Sequence, residues 1–355
     1  MQADWRHWVA AALLALAGQG AMAEEPCGGG IGGTGAPLAA QADDGKGGGS
    51  EPVGGIGGTG IVADLAPGEA GRVIGTIVRF GSICVNGLRI AYDLETPTER
   101  DGRDINAADL QVGQVARVDV ESTDGRLEAR HITLLSSVTG VVTARDEGAR
   151  AFQVLGQPVQ LGPHTWIGLS GTAVPAVGTS VRVSGLVAPD GTVAASRLEA
   201  TVSVEPETVM ARLTELDGRY AAVGAVRVEF PVGKVPAGIA IGDEIAVRGR
   251  WNGEALEAET VVVAPRDVAG IRAASLEGFL HACGNGDALG LDGHELAFRA
   301  FAAPRAWLGR RVVVEGRQRE DGVFEAVRIL PSPFAGASPG STAPLRCTAR
   351  PAPAG

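Results

Sequence analysis

Aliphatic and polar residues alternate in short runs along the chain, and one arrangement of these runs recurs four times. Each copy has an aliphatic residue followed by Gly, then alternating aliphatic residues, an Asp-Gly or Asn-Gly pair, and a run that reaches Ala and a further aliphatic residue. A period of two turns one face of a strand inward, and Asp-Gly or Asn-Gly supplies the left-handed backbone of a tight hairpin. The pattern predicts four antiparallel hairpins, at Asp124-Gly125, Asp190-Gly191, Asn252-Gly253 and Asp321-Gly322.

Each copy also has a first half, in which shorter aliphatic runs are separated by glycines. In the first copy these runs surround an Asn86-Gly87 pair, whereas the third copy has no comparable Asn-Gly pair. About five strands per copy favour a small closed Greek-key barrel, because closure removes exposed sheet edges. We therefore expect an all-β protein of about four tandem OB-like barrels, at residues 69–136, 137–204, 205–268 and 269–331. Helix is expected only as short turns, at residues 106–110 and 304–308.

Low-complexity segments flank the predicted barrels. Residues 24–68 are rich in Gly and contain Gly-Gly-Ile-Gly-Gly-Thr-Gly twice, at 29–35 and 54–60. Residues 332–355 are rich in Pro, Ala and Ser. Such compositions lose more chain entropy on ordering than burial returns, so both segments are expected to be disordered tails. The repeated heptapeptide is either a recognition tag or the result of a recent local duplication.

The first 23 residues have the pattern of an export signal. Arg6 lies in a short polar start, residues 9–17 are apolar, and Ala21-Met22-Ala23 has the small-x-small pattern of a cleavage site. We expect cleavage after Ala23 and a periplasmic or extracellular mature chain that starts at Glu24. The alternative is a retained N-terminal anchor. No other segment has the roughly 20 apolar residues that a membrane span needs.

Export would bring all four cysteines, Cys27, Cys84, Cys283 and Cys347, into an oxidising compartment, where disulfides persist. Four cysteines allow three pairings. We favour Cys27–Cys84 and Cys283–Cys347, because each pair would tie a loose tail to the nearest barrel. The alternative is that some of them are buried free thiols. The chain has no closely spaced cysteine pair of the kind that binds zinc.

The first copy resembles a known bacterial family. The residues that carry the resemblance are Gly75-Thr76-Ile77, Asn86-Gly87, Ala108-Asp109-Leu110, Val112-Gly113, Val118, Asp124-Gly125, Ala129 and Ile132. They resemble the domain of unknown function DUF5666, and the duplicated Gly-rich heptapeptide resembles the N-terminal segment of some members. The second copy matches fairly well, and the third and fourth match mainly in their second halves. The resemblance implies an OB-type barrel that occurs in tandem in exported proteins, and it implies no activity.

Motifs of catalysis and of metal binding lack their structural context. The Gly-x-Ser-x-Gly pattern at 336–340 lies in a Pro-rich tail rather than between a strand and a helix. The Gly-x-Gly-x-x-Gly pattern at 28–33 has no flanking strand and helix. Asp101 and Asp104 share a Gly-containing loop but fall short of the oxygen ligands that a calcium loop needs. We therefore predict no catalytic, cofactor or metal site.

The histidines of the predicted mature chain, His131, His164, His281 and His294, are scattered along it. An enzyme would need a pocket that joins one of them to carboxylates, which sequence order cannot show. Trp166, Trp251 and Trp307 fall in three different copies and are expected to serve packing. Trp251 precedes a predicted turn, so its ring is the candidate for a ligand-binding surface.

The net charge of −10 disfavours nucleic acid as a partner, because acidic chains repel phosphate backbones. We expect a non-catalytic exported envelope protein that binds or scaffolds an envelope protein or a glycan through its barrels. The alternatives are a small-ligand or glycan-binding protein, a set of structural spacers, or a hydrolase with an unrecognised site.

Overall fold

The computed structural model describes residues 27, 62–169, 174–201, 206–263, 268, 271–284, 288–292, 294–298, 305–319 and 323–334. Within these residues the protein is all-β, with 22 strands and two single-turn 3-10 helices, at Ala107–Asp109 and Arg305–Trp307. The expected signal segment, both heptapeptide copies and residues 335–355 lie outside the described residues. Within the described residues, no helix is long and apolar enough to cross a membrane.

The strands fall into four consecutive groups, which we call barrels 1 to 4. Barrel 1 comprises β1 Ala70–Arg79, β2 Ile83–Val85, β3 Leu88–Ala91, β4 Thr98–Arg100, β5 Arg103–Asp104, β6 Val115–Thr123 and β7 Arg126–Leu135. Barrel 2 comprises β8 Val138–Asp146, β9 Ala151–Val154, β10 Gln157–Gly168, β11 Ser180–Val187 and β12 Val193–Ala200. Barrel 3 comprises β13 Glu207–Asp217, β14 Tyr220–Val223, β15 Val226–Glu229, β16 Glu244–Trp251 and β17 Leu256–Val263. Barrel 4 comprises β18 Ala273–Cys283, β19 Ala288–Leu291, β20 His294–Phe298, β21 Arg311–Gln318 and β22 Phe324–Pro331.

Each group closes into a five-stranded barrel with the same strand order. In barrel 2 the first strand, β8, pairs with β9 and β11, β9 pairs with β10, and β12 closes the circle between β10 and β11. The third and the last strands run parallel in all four barrels, and the other pairings within each circle of five strands are antiparallel. This is the OB-type topology, so the expected all-β fold of OB-like barrels is confirmed. Barrel 1 adds the small β4–β5 hairpin beside β7.

The recurrent Ala of the sequence pattern marks a β-bulge. In each barrel the register between the last two strands shifts at this residue: Ala129, Ala195, Ala258 and Ala326. In three barrels the partner is a glycine, and at Gly249 an added Cβ would lie 1.9 Å from the Glu257 carbonyl oxygen. The small residues therefore allow the two backbones to approach where the barrel bends sharply.

The four barrels are fused in pairs. The first strands of barrels 1 and 4 pair in parallel, with Gly71 opposite Ala273, and the first strands of barrels 2 and 3 pair antiparallel, with Val138 opposite Val209. The result is one sheet of 12 strands and one of 10. Sequence neighbours such as barrels 1 and 2 are therefore in different sheets.

A shared apolar core joins the two sheets. It contains at least one buried residue from every barrel, including Ile74, Leu186, Met210 and Leu276. The connection between barrels 1 and 2 is also buried, since Ser136 and Ser137 are 2% and 1% exposed, and the Ser137 hydroxyl donates to the Gly185 carbonyl at 2.8 Å. The barrels therefore form one packed body rather than separate units on linkers.

Apolar residues at the inner edges of both predicted tails are buried against the barrels. Val62 and Leu65, from the predicted N-terminal tail, are buried in the core of barrel 1. Ser332 and Phe334, from the predicted C-terminal tail, are buried against barrel 4 and hydrogen-bonded to each other, with the Phe334 amide donating to the Ser332 hydroxyl at 3.0 Å. Single apolar residues among Gly, Pro and Ala thus cover the ends of barrels 1 and 4.

Candidate functional site

Two adjoining cavities lie between the barrels. The first, which we call the junction cavity, has a volume of about 290 Å³ and is walled by barrels 2, 3 and 4. The second, the side cavity, has a volume of about 420 Å³ and lies between barrels 2 and 4. Asp190 and Phe279 line both, so the two cavities share a wall. Cavities of this size between packed domains are the usual place for small-molecule sites.

Strand alternation explains which side chains reach the junction cavity. On β13, Ala211 and Leu213 face the interior of barrel 3, so the intervening Arg212 points out of the barrel into the cavity. On β18, Glu277, Phe279 and His281 are two residues apart and share one face of the strand. Glu277 contacts barrel 1, and Phe279 and His281 line the cavity. A position that would be solvent-exposed in an isolated barrel becomes a cavity wall once the barrels pack.

His281 is buried in this wall, with only 3% of its surface exposed. Its Nδ1 lies 2.7 Å from the Gly290 carbonyl oxygen, which can only accept, so Nδ1 carries the hydrogen. Its Nε2 lies 3.3 Å from Nη2 of Arg212, which donates to it. Burial and the Arg212 charge lower the pKa of His281 to about 4. His281 is therefore neutral at neutral pH, and both of its ring nitrogens are hydrogen-bonded.

Three carboxylates complete the polar lining of the junction cavity. Glu244 of β16 stands directly opposite Arg212 in the antiparallel pairing of β13 with β16. Asp292 lies in the β19–β20 turn, with its Oδ2 above Gly278. Asp190 lies in the β11–β12 turn, where its Oδ1 accepts from the Thr192 amide at 2.9 Å. The cavity thus offers hydrogen-bond donors from an arginine and acceptors from carboxylates on three different barrels.

The side cavity combines hydroxyl and amide groups with aromatic rings. Gln160 and Thr165 of β10 line one wall, and Phe279 and Phe334 line the other. The Thr165 hydroxyl donates to the Ala195 carbonyl at 2.6 Å, and Gln160 Nε2 donates to the Ala149 carbonyl at 2.8 Å, so both side chains are held in place.

A buried charge cluster between barrels 1 and 4 supports the same wall. Arg311 Nε donates to Glu277 Oε1 at 2.9 Å, its Nη2 donates to the Thr76 hydroxyl at 2.6 Å, and its guanidinium lies 4.9 Å from the Phe334 ring centre. The Ser332 hydroxyl also donates to Glu277. Burial alone would raise the pKa of Glu277, but the Arg311 charge and these hydrogen bonds outweigh it and lower the pKa below its ordinary value. The charge of Arg311 is therefore already balanced by Glu277.

The structure brings together some of the residues considered from the sequence and not others. His281 joins carboxylates in the junction cavity, and His164 lines the side cavity. Asp101 accepts from the Ser136 amide and hydroxyl instead of meeting Asp104 in a metal site, and burial raises its pKa despite these bonds. No metal-binding group of three His, Cys, Asp or Glu side chains exists among the described residues.

The predicted ligand surface at Trp251 lies elsewhere. Trp251 ends β16, is half-buried and packs against the core of barrels 2 and 3, and it lines neither cavity. Trp307 packs in the same way against the core shared with barrel 4. A ligand-binding role of Trp251 stays a prediction.

Cys27 and Cys84 form a disulfide with their Cα atoms 5.8 Å apart, which is the pairing favoured from the sequence. It links the N-terminal segment to β2 of barrel 1. Cys283 is also disulfide-bonded, and its expected partner, Cys347, lies outside the described residues.

Sequence reasoning missed Arg212, Glu244 and Asp292. A signal was present, because equivalent positions of the four copies can be compared. The position of Arg212 is Thr76, Val141 and Phe279 in the other first strands, and the position of His281 is Val78, Thr143 and Thr214. A charged and a titratable residue at positions that are otherwise apolar, aromatic or hydroxyl-bearing would have pointed to this junction.

Two stretches in the N-terminal part of the chain match a known family. Residues 71–133 and residues 139–199 each match the family model described as Domain of unknown function (DUF5666), and these ranges cover most of barrels 1 and 2. No curated protein and no solved structure matches the chain. The chain is therefore similar to the DUF5666 family over its first and second barrels.

Proposed function

We propose that this protein is an exported, non-catalytic binding module whose four barrels act together as one receptor, and that a small polar ligand binds in the junction cavity. The observation that carries the proposal is the cavity itself. It exists only because three barrels pack together, and each contributes a charged or titratable side chain to it: Asp190, Arg212 and His281.

The shared core favours a receptor over a row of spacers. Barrels that only set a distance would need no common sheets, since interfaces between independent domains are usually small and polar. Here buried residues of all four barrels meet in one apolar core. A rigid junction keeps the cavity walls in register, which lowers the entropic cost of binding.

The state of His281 favours binding over catalysis. A general base works best when its pKa lies near the working pH, whereas the pKa of His281 is lowered to about 4. Its Nε2 also accepts a hydrogen bond from Arg212. Although His281 has carboxylates near it, it lacks the free, titrating nitrogen that acid–base chemistry needs.

Export is supported by the N-terminal sequence pattern and by the disulfide between Cys27 and Cys84, because structural disulfides persist in oxidising compartments. It is tested by expressing the full chain in a bacterium and measuring the mass of the protein released from the periplasm. A measured mass equal to that of a chain starting at Glu24 supports export with cleavage. An uncleaved chain in the cytoplasm or membrane fraction contradicts it.

Ligand binding is tested by native mass spectrometry of the purified mature chain after incubation with the small-molecule fraction of a periplasmic extract. Thr214 is exposed and lines the junction cavity, so Thr214→Trp fills it without disturbing a barrel core. Thr143 is the equivalent exposed position of barrel 2 and lines neither cavity, so Thr143→Trp is the matched control.

We expect a discrete mass adduct on the parent and on Thr143→Trp that is absent from Thr214→Trp. The absence of any adduct, or an adduct that all three proteins carry equally, would contradict a ligand site in this cavity. Chemical conversion of the bound compound by the parent would overturn the non-catalytic part of the proposal.

A further inference from the structure

The two cavities form one two-lobed groove, which we call the interbarrel groove. Asp190 and Phe279 stand where the lobes meet. On barrel 2 the groove is built by the third strand, β10, and by the turn between the fourth and fifth strands. In OB barrels the second and third strands and the loop between strands four and five are a common surface for oligosaccharides and oligonucleotides, and the groove overlaps this surface at β10 and at the β11–β12 turn. The groove is therefore placed where an extended ligand can lie along barrel 2.

Its walls combine apolar faces with groups that both donate and accept hydrogen bonds. Phe279 and Phe334 line the groove and are almost completely buried, with 5% and 7% of their surfaces exposed. Around them stand the carboxylates of Asp190 and Asp292 and the guanidinium of Arg212. A sugar ring matches such a wall, because its C–H face is apolar and its hydroxyls both donate and accept.

The charges of the groove disfavour an anionic ligand. Asp190, Glu244 and Asp292 carry negative charge, against the single positive charge of Arg212. The other arginine of the groove, Arg311, is paired with the buried Glu277. The whole chain is acidic as well, with a net charge of −10. Phosphates, nucleic acids and uronic acids would meet repulsion there, whereas a neutral sugar would not.

We propose that the interbarrel groove binds a neutral oligosaccharide of two or three rings. Each lobe holds one terminal ring, and Phe279 packs beneath the sugar. Asp190 accepts a hydrogen bond from a sugar hydroxyl where the two lobes meet. This inference rests on the proposed function, because it names the ligand class of the same site. It commits the groove to neutral sugars in place of phosphorylated compounds, polyamines or peptides.

The test is isothermal titration calorimetry on the disulfide-intact mature chain with maltotriose, cellotriose and tri-N-acetylchitotriose as probes. Tri-galacturonate and spermidine are the anionic and cationic comparisons. Asp190→Asn removes the negative charge where the two lobes meet but keeps an oxygen that can accept the hydrogen bond from the Thr192 amide. The matched control is Asp124→Asn, at the equivalent Asp-Gly turn of barrel 1, which lines neither cavity.

We expect saturable binding of at least one neutral trisaccharide, weakened about tenfold or more by Asp190→Asn and unchanged by Asp124→Asn, since a hydrogen bond to a charged group is lost. Equal binding by parent and Asp190→Asn would overturn the placement of the sugar. Binding of spermidine or tri-galacturonate with none of the neutral sugars would overturn the ligand class. If no probe binds while Thr214→Trp still abolishes a native adduct, this inference fails and the proposed function survives; if no adduct forms either, both fail.

Discussion

The side chain of Asn86 lies directly over Gly75, so that a Cβ added at Gly75 would lie 2.1 Å from Asn86 Oδ1. Asn86 belongs to the turn between the second and third strands of barrel 1, and Gly75 lies on the first strand. Asn86 Nδ2 donates to the Ile74 carbonyl at 3.0 Å and to the Ser275 carbonyl of barrel 4 at 3.1 Å. One turn residue thus packs its own barrel and joins it to another.

The same relationship recurs with other residues. Leu155 covers Gly140 in barrel 2, and Asp292 covers Gly278 in barrel 4. In barrel 3 the sizes are exchanged: the turn has Gly224 and the strand has Ala211, and an added Cβ at Gly224 would lie 2.9 Å from the Ala211 Cβ. Each barrel therefore keeps one glycine at this contact, because there is room for only one of the two side chains.

Gly75→Ala should lower the free energy of unfolding by about 2 kcal/mol, because overpacking a tight core contact typically costs 1–3 kcal/mol. Urea denaturation of the mature chain measures the change. In the Asn86→Gly background the same substitution should cost much less, since the obstructing oxygen is gone. Equal costs in both backgrounds would contradict a direct clash.

Acid should destabilise the protein through His281. Its pKa is lowered to about 4 in the folded state from an ordinary value of 6.5, so the unfolded chain binds a proton there first as the pH falls. The contribution is fully present above pH 6.5 and is lost between pH 6.5 and 4, with a total on the order of 3 kcal/mol. His281→Asn keeps a donor for the Gly290 carbonyl and removes the titrating ring.

Urea denaturation at pH 7 and pH 5 measures this effect. The parent should lose more stability over this interval than His281→Asn, and the comparison cancels contributions from groups that both proteins share. His164→Asn, at an exposed position, is the control and should behave as the parent. A parent and a His281→Asn variant with the same pH dependence would show that His281 is not held neutral by burial.

Glu277→Gln should destabilise the protein by about 3 kcal/mol at neutral pH, because the buried Arg311 would lose its balancing charge. Glu254→Gln is the matched control, since Glu254 pairs with Arg227 at the surface with 80% of its side chain exposed. We expect the control to leave the urea midpoint essentially unchanged. A small effect of Glu277→Gln would indicate that water reaches Arg311 in solution.

The four barrels should unfold in one transition. Trp166, Trp251 and Trp307 lie in barrels 2, 3 and 4, so three variants that each keep one tryptophan report on one barrel at a time. Because the barrels share sheets and an apolar core, their fluorescence midpoints in urea should coincide after correction for the stability of each variant. Separate transitions within one variant, followed by fluorescence and circular dichroism, would contradict a single packed body.

Much of each barrel was predictable from local sequence. The Asp124-Gly125 hairpin forms with both residues at positive φ, as such pairs prefer, and the expected short helical turn forms at Ala107–Asp109. Local turn preferences do not account for Leu155, which adopts a φ of 53° in the turn of barrel 2. There the strain of a non-glycine residue is offset by burial of the Leu155 side chain over Gly140, which local turn preferences do not include.

The candidate site was much harder to predict. Arg212 and His281 belong to different barrels and are 69 residues apart, yet their side chains are in hydrogen-bond contact. Comparison of the four copies marks both positions as unusual, but it does not show that the two side chains meet, since an outward-facing residue of a barrel is ordinarily exposed. Only the packing of barrel 3 against barrel 4 turns these outward faces into cavity walls.

The sequence by itself determined the strands, the hairpins, the repeated barrel and the small residues at its bulges, because alternation and turn chemistry act over a few residues. The tertiary structure alone decided that barrel 1 pairs with barrel 4 and barrel 2 with barrel 3. It also decided that His281 is buried and neutral. The physical reason is that these outcomes depend on which apolar faces exclude water together, across separations such as the 201 residues between Thr76 and Glu277.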